Sequence, residues 1–147
     1  MSLKKGGLNE LILGANGNMI SLQNVLDQSR GKVVILDFWA SYCGPCLQQI
    51  AFSHQLQKKF KDSPVRFIYL SQDMAKSDWE NSMKNYGLKN IADNYLMFFD
   101  AHSTISEFYK IRQIPKYIVY GKDGKLISSN APYPSDPALE KTIRDNL

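Results

Sequence analysis

Val33-Val34-Ile35-Leu36-Asp37-Phe38-Trp39-Ala40 runs without a break into Ser41-Tyr42-Cys43-Gly44-Pro45-Cys46, and the reading of the chain turns on this junction. The first part is continuous, β-branched and aromatic, and of the length of a central strand buried on both faces. Cys43 and Cys46 are the only cysteines in the chain. A strand that delivers a sulfur to the end of a sheet, where a helix begins, places that sulfur among unpaired N–H groups at the positive end of the helix dipole. A thiolate is stabilised there, and the thiolate is the attacking species in disulfide exchange. Cys43 is therefore expected at or near the helix N-cap, exposed, as the nucleophile. Cys46, one turn inside and shielded, is expected to resolve the mixed disulfide. Gly44 and Pro45 set the dipeptide between them, proline fitting an early helical position where its missing N–H costs nothing. A pair of buried structural cysteines or half a zinc site is the competing reading. Structural zinc wants four ligands at characteristic spacing, which His54 and His102 do not supply.

Asp37-Phe38-Trp39-Ala40-Ser41-Tyr42-Cys43-Gly44-Pro45-Cys46 closely resembles the active-site segment of the thioredoxin superfamily. Ile111-Arg112-Gln113-Ile114-Pro115-Lys116-Tyr117-Ile118-Val119-Tyr120 resembles the segment carrying that family's cis-proline. The long link between the two, with Lys122-Asp123-Gly124-Lys125 after the proline strand, is similar to the extracytoplasmic TlpA/ResA-type branch. The likeness runs from about Leu11 to the C-terminus.

The resemblance implies a single α/β domain over residues 1–147 with a thioredoxin-like fold, a central mixed β-sheet flanked by helices on both faces. It implies a thiol-disulfide oxidoreductase that reduces disulfides in partner proteins through Cys43 and Cys46. No bound cofactor beyond that redox-active pair is expected, and no metal. The expected partners are disulfide- or dithiol-bearing proteins and an upstream electron-donating oxidoreductase. The expected location is the periplasm or cell envelope, with cytochrome c biogenesis as a setting and a membrane tether through a missing N-terminal segment. Asp37 aligns with the buried aspartate that serves as proton acceptor for the resolving cysteine. Burying a carboxylate in an apolar strand raises its pKa, although pairing with Lys32 or water would also account for it. Pro115 aligns with the cis-proline, which leaves the backbone of Ile114 free to pair with an extended substrate; a trans-proline opening an edge strand is the alternative. Trp39 and Tyr42 are expected to flank the disulfide as an apolar platform, with Trp39 partly in the core. Gly44-Pro45 and Ile114 resemble the residues of reducing thioredoxins. Gln49 and Ala51 stand where TlpA/ResA-type relatives often carry a glutamate and a proline, which leaves partner specificity open.

Two other functions compete. A peroxiredoxin-like peroxidase would share the fold but needs a different sequence around its cysteine, with an upstream threonine that is not seen here. A redox-inactive binding or chaperone-like domain would leave the intact motif without purpose.

The rest of the chain fits an ordinary globular domain. With 147 residues, 44% hydrophobic and 22% charged, it is long enough for one sizeable core and is not of disordered composition. The net charge of +4 comes from scattered charges of both signs rather than a basic stripe, which argues against nucleic-acid binding. No stretch is long and apolar enough to span a membrane, and no secretory signal is present. Residues 1–7 read as a disordered or vector-derived N-terminus. Strands are expected at Leu11–Leu13, Lys32–Trp39, Val65–Leu70, Tyr95–Phe99, Tyr117–Tyr120 and Lys125–Ser128, the last two joined at Asp123-Gly124. Helices are expected from Ser21, from Cys43 to about Phe60, from Ser77, from Thr104 and from Ser135-Asp136-Pro137, with Leu139, Ile143 and Leu147 inward. The helix after Cys43 carries two apolar sets, Cys46, Leu47, Ile50 and Ala51, then Phe52, Leu56 and Phe60. Such a phase change predicts a bend near Ala51 or burial of two faces. His54 and His102 are expected to face solvent or to be satisfied locally.

Overall fold

The computed structural model describes residues 7–89, 92–98 and 103–147. Its strands are β1 (Leu11–Gly14), β2 (Met19–Ser21), β3 (Val33–Trp39), β4 (Val65–Ser71), β5 (Asp93–Leu96), β6 (Lys116–Tyr120) and β7 (Leu126–Ser128). Its helices are α1 (Leu22–Gln28), α2 (Gly44–Lys59), α3 (Lys76–Asn85), α4 (Thr104–Phe108) and α5 (Pro137–Asp145). The strands form one mixed sheet in the order β2-β1-β5-β4-β3-β6-β7. β3 pairs in parallel with β4, and β4 with β5. β6 runs antiparallel to β3 and turns back as β7, closing the sheet with the expected hairpin.

Every residue of β3 is buried, as its unbroken apolar run requires for a central strand covered on both sides. Successive side chains alternate between faces, and the two faces build two cores. On one side Val33, Ile35 and Trp39 join Phe67, Tyr69, Tyr117 and Val119 beneath α2, α3 and α5. On the other side Val34, Leu36 and Phe38 join Ile68, Leu70 and Ile118 beneath α1 and α4. Each of these side chains, fully buried, contributes about 1.5–3 kcal/mol. The thioredoxin-like architecture is the one expected, with helices on both faces of a mixed sheet.

α2 is one continuous helix whose single buried stripe is Cys46, Ile50, Ser53 and Leu56, ending on the buried Phe60. The expected phase change dissolves because Phe52 points to solvent and Ser53, polar by type, fills its turn of the stripe. Several local expectations also shift. α3 begins at Lys76 with Ala75 at its N-cap and no side-chain cap bond, so Ser77 lies inside the helix rather than capping it. α4 is capped by Ser103, whose hydroxyl accepts from the Ser106 N–H, rather than by Thr104. β5 starts at Asp93 and stops at Leu96, since Phe98 turns with φ 50°. β2, a three-residue edge strand pairing with β1, carries too short a pattern to be read from sequence. Leu139 and Ile143 are buried as expected, but Leu147 is exposed at the chain end. Gly7 belongs to a short 3-10 turn, Gly7–Asn9, and its carbonyl accepts a hydrogen bond from Thr104 Oγ1, so it is not part of an unstructured stretch as expected. Residues 1–6, Phe99 and His102 lie outside the described residues.

Candidate active site

The chain leaves β3 at Trp39, crosses Ala40-Ser41-Tyr42 and enters α2 at Gly44. Cys43 is the N-cap residue, with extended φ/ψ of −96° and 99°, and its Sγ accepts from the Cys46 N–H at 3.2 Å. Pro45 occupies the first turn, where no intrahelical donor is lost. Cys43 and Cys46 are joined by a disulfide, with Cα atoms 5.2 Å apart. Cys43 is 8% exposed and Cys46 2%, so the expected order of accessibility holds, while Cys43 is far less open than expected. Gly44 and Pro45 are exposed beside it.

The Ile114-Pro115 bond is cis. Phe38 and Lys116 form the last pair of the β3/β6 ladder, so Pro115, one residue earlier on β6's approach, leaves the sheet at the same end as Cys43. Ile114 is half-buried and packs against both cores. Tyr42 is 71% exposed on the loop before Cys43, in keeping with a partner-facing role. Trp39 is only 1% exposed and belongs to the core under α2, so it supports the site from below and offers no platform to a partner.

Asp37 occupies the middle of β3, 5% exposed, on the face that also carries Ile35 and Trp39. That face packs against α2, the helix bearing Cys46. No cation pairs with Asp37 among the described residues, and Lys32 is exposed. Burial alone pushes the Asp37 carboxyl from an ordinary 3.8 up to about 8.

Two residues that the sequence reading missed flank Asp37. Tyr69 of β4 and Tyr117 of β6 are its register partners on either side, so all three side chains share one face. The Tyr69 hydroxyl lies 2.6 Å from Ser53 Oγ and accepts from Gln57 Nε2 at 3.1 Å. The Tyr117 hydroxyl has no hydrogen-bond partner among the described residues, and its ring meets Tyr133 edge-on at 5.5 Å. Both phenols are pushed upward, first by burial and then by the Asp37 charge. No local signal marked them: Tyr69 lies within β4 and Tyr117 near the start of β6, and only the register brings both beside Asp37. His54, expected to be solvated or satisfied, is half-buried on α2 with Nε2 unpartnered among the described residues, and burial followed by Lys58 lowers its pKa. Gln49 accepts from the Ser135 N–H at 2.9 Å, tying α2 to the approach to α5.

A family model described as thioredoxin-like matches residues 31–126 of the 147, a span that holds β3, the cysteines and Pro115. The chain belongs to the thioredoxin-like family. Among curated relatives, a thiol-disulfide oxidoreductase ResA of Bacillus cereus is 28% identical over 127 residues, covering 86% of this chain and 68% of that protein. ResA of Bacillus subtilis (strain 168) is 25% identical over 119 residues, covering 81% of this chain and 62% of that protein. Among solved structures, a candidate thiol-disulfide oxidoreductase from Bacteroides vulgatus superposes with a TM-score of 0.76 at 32% identity, covering 99% of this chain and 92% of that one. This thioredoxin-like chain shares its fold with the solved structure, and its own Cys-x-x-Cys disulfide lies at the start of a helix that follows a central strand.

Proposed function

We propose that the protein is a thiol-disulfide oxidoreductase that reduces disulfides in partner proteins. The observation that carries this is the Cys43–Cys46 disulfide at the α2 N-terminus, with Cys46 sealed more deeply than Cys43. In the reduced form the Cys43 thiolate attacks one sulfur of the partner disulfide. A mixed disulfide forms, and the other partner sulfur leaves as a thiolate that takes up a proton. The Asp37 carboxylate then accepts the Cys46 thiol proton. The Cys46 thiolate attacks Cys43 Sγ, the second partner sulfur leaves, and two electrons have passed to the partner. No bound cofactor is needed, because electrons enter and leave through the two thiols. An upstream oxidoreductase restores the dithiol.

Support for the reducing direction comes from Gly44-Pro45 and Ile114, which resemble reducing thioredoxins. Partner proteins dock across the exposed Tyr42 and the Ile114-Pro115 segment. We place the protein outside the cytoplasm on its likeness to ResA. No helix among the described residues is long and apolar enough to cross a membrane.

The test is the reduction potential of the pair, measured by equilibration against glutathione or dithiothreitol, together with Cys46→Ser. A potential near that of thioredoxin, about −270 mV, and accumulation of mixed disulfides in Cys46→Ser are expected. An oxidising potential near about −120 mV overturns the reducing direction. A fully active Cys46→Ser removes the two-step scheme.

A further inference from the structure

The loop that carries Cys43 is pinned by a buried carboxylate from a distant part of the chain. Asp73 lies in the connection between β4 and α3 and is 1% exposed. The Ser41 N–H donates to both of its oxygens, at 3.2 and 3.1 Å. Ser41 Oγ donates to Oδ1 at 2.6 Å, and Ser71 Oγ donates to Oδ2 at 2.7 Å. The neighbouring Gln72 N–H donates to the Trp39 carbonyl at 2.7 Å, so two positions of the loop entering the site are fastened to the same connection. All the side-chain partners of Asp73 are donors, the role that suits an ionised carboxylate. No cation pairs with it among the described residues.

We infer that Asp73 is a positioning residue that holds the Cys43 loop in place and sets the reducing power of the Cys43–Cys46 pair by holding a fixed negative charge behind Cys43. The inference rests on the oxidoreductase reading. Ser41 is two residues before Cys43, and the Cys43 N–H donates to the Ala40 carbonyl at 3.1 Å, so this turn keeps the Asp73 carboxylate within about 12 Å of the sulfur. At that distance, with an effective protein dielectric of about 20, one charge changes the thiol-to-thiolate ratio by about tenfold. A negative charge disfavours the Cys43 thiolate and with it the dithiol state, so the pair gives up electrons more readily. The helix N-terminus acts in the opposite sense, and the two together fix the balance. The first turn of α2 has no acidic residue, β3 brings Asp37 beneath the pair, and the approach to β6 brings Arg112 and Lys116.

The experiment compares the wild type with Asp73→Asn and Ser41→Ala. Its readouts are the equilibrium constant with glutathione and the pH profile of Cys43 alkylation by iodoacetamide. Asp73→Asn keeps the shape and an acceptor for Ser41 but removes the charge. Its Cys43 alkylation midpoint moves to lower pH, and its equilibrium shifts toward the dithiol by up to about tenfold, or about 30 mV for this two-electron couple. Ser41→Ala keeps the charge and removes a donor that partly offsets it, so its equilibrium shifts the other way. Shifts in the same direction for both variants, or none in Asp73→Asn, overturn the inference while leaving the oxidoreductase reading intact. If Asp73→Asn does not fold, Ser41→Ala decides: a more reducing pair supports the inference, and an unchanged or more oxidising one overturns it. A wild type with no reversible disulfide overturns both.

Discussion

Replacing Asp37 by asparagine keeps the side chain's shape and removes its ability to ionise, which isolates the effect of the buried carboxyl. In the folded protein this group holds its proton up to about pH 8, whereas in the unfolded chain it ionises near 3.8. A folded pKa above the unfolded one means that the native state binds the proton more tightly. The contribution of Asp37 to stability is therefore intact below about pH 4, falls as pH rises from about 4 to about 8, and stays at its lowest above that. At 1.36 kcal/mol per pH unit the interval sets a ceiling of roughly 5–6 kcal/mol. Relaxation around the ion and water penetration reduce such penalties to a few kcal/mol, so about 2–4 kcal/mol is expected. Urea unfolding of the oxidised protein at pH 5, 7 and 9, with m held constant, measures it. Asp37→Asn should match the wild type within about 1 kcal/mol at the acid end and exceed it by about 2–4 kcal/mol at pH 9. A wild type at least as stable as the variant at pH 9, or an unchanged pH slope in the variant, refutes the reasoning. The same substitution tests the proton-transfer role: wild-type turnover should climb through about pH 8, and Asp37→Asn should be slow and lack that rise.

Tyr69→Phe removes the hydroxyl that joins Ser53 and Gln57, leaving Ser53 buried without its 2.6 Å partner. A loss of about 1–3 kcal/mol in urea unfolding at pH 5 is expected, and a change below about 0.5 kcal/mol would mean that the network adds nothing. Tyr42→Ala removes an exposed ring, so the midpoint of urea unfolding should stay within about 0.5 kcal/mol of wild type. KM for a disulfide-bearing protein substrate should rise about tenfold, the effect of losing a contact worth roughly 1.4 kcal/mol. An unchanged KM would move the docking surface elsewhere.

The central strand, the helix start and the order of the two sulfurs were legible because each follows from short-range rules. An apolar run with β-branched residues makes β3, a Pro in the first turn makes the start of α2, and the three-residue offset places Cys46 one turn inside. What the sequence hid was long-range. Tyr69 and Tyr117 flank Asp37 only because β4 and β6 pair with β3 in one particular register, and a one-residue slip would turn both to the opposite core. Asp73 reaches Ser41 across 32 residues, so nothing near the motif announces it. The misread phase of α2 has the same origin. Ser53 counts as polar on its own helix and becomes a core residue only through the Tyr69 hydroxyl. The α4 cap moved from Thr104 to Ser103 because the Thr104 hydroxyl is taken up by the Gly7 carbonyl, whereas α3 starts two residues early on Ala75 with no side-chain cap at all.

The polar groups of the site are the places where the core breaks its own rule. β3 is buried throughout and yet carries Asp37; the buried stripe of α2 carries Ser53; β4 ends in buried Ser71, with Asp73 two residues on. Ser53, Ser71 and Asp73 are hydrogen-bonded, whereas among the described residues Asp37 has no ion-pair partner and the Tyr117 hydroxyl no hydrogen-bond partner. A core selected only for stability would replace both, since an unpaired buried polar group costs about 1–3 kcal/mol. Cys46, buried on the same side of the sheet, cannot release its proton directly to bulk water, and Asp37 is the ionisable side chain in that core with an affinity near neutral pH. Once ionised, a carboxyl with a pKa of about 8 takes a thiol proton at little driving-force cost, because a thiol's ordinary pKa of about 8.5 lies close to it. The stability given up at Asp37 and the proton affinity gained there are one physical fact. This is why Asp37→Asn should raise the unfolding free energy at pH 9 and lower turnover at the same pH.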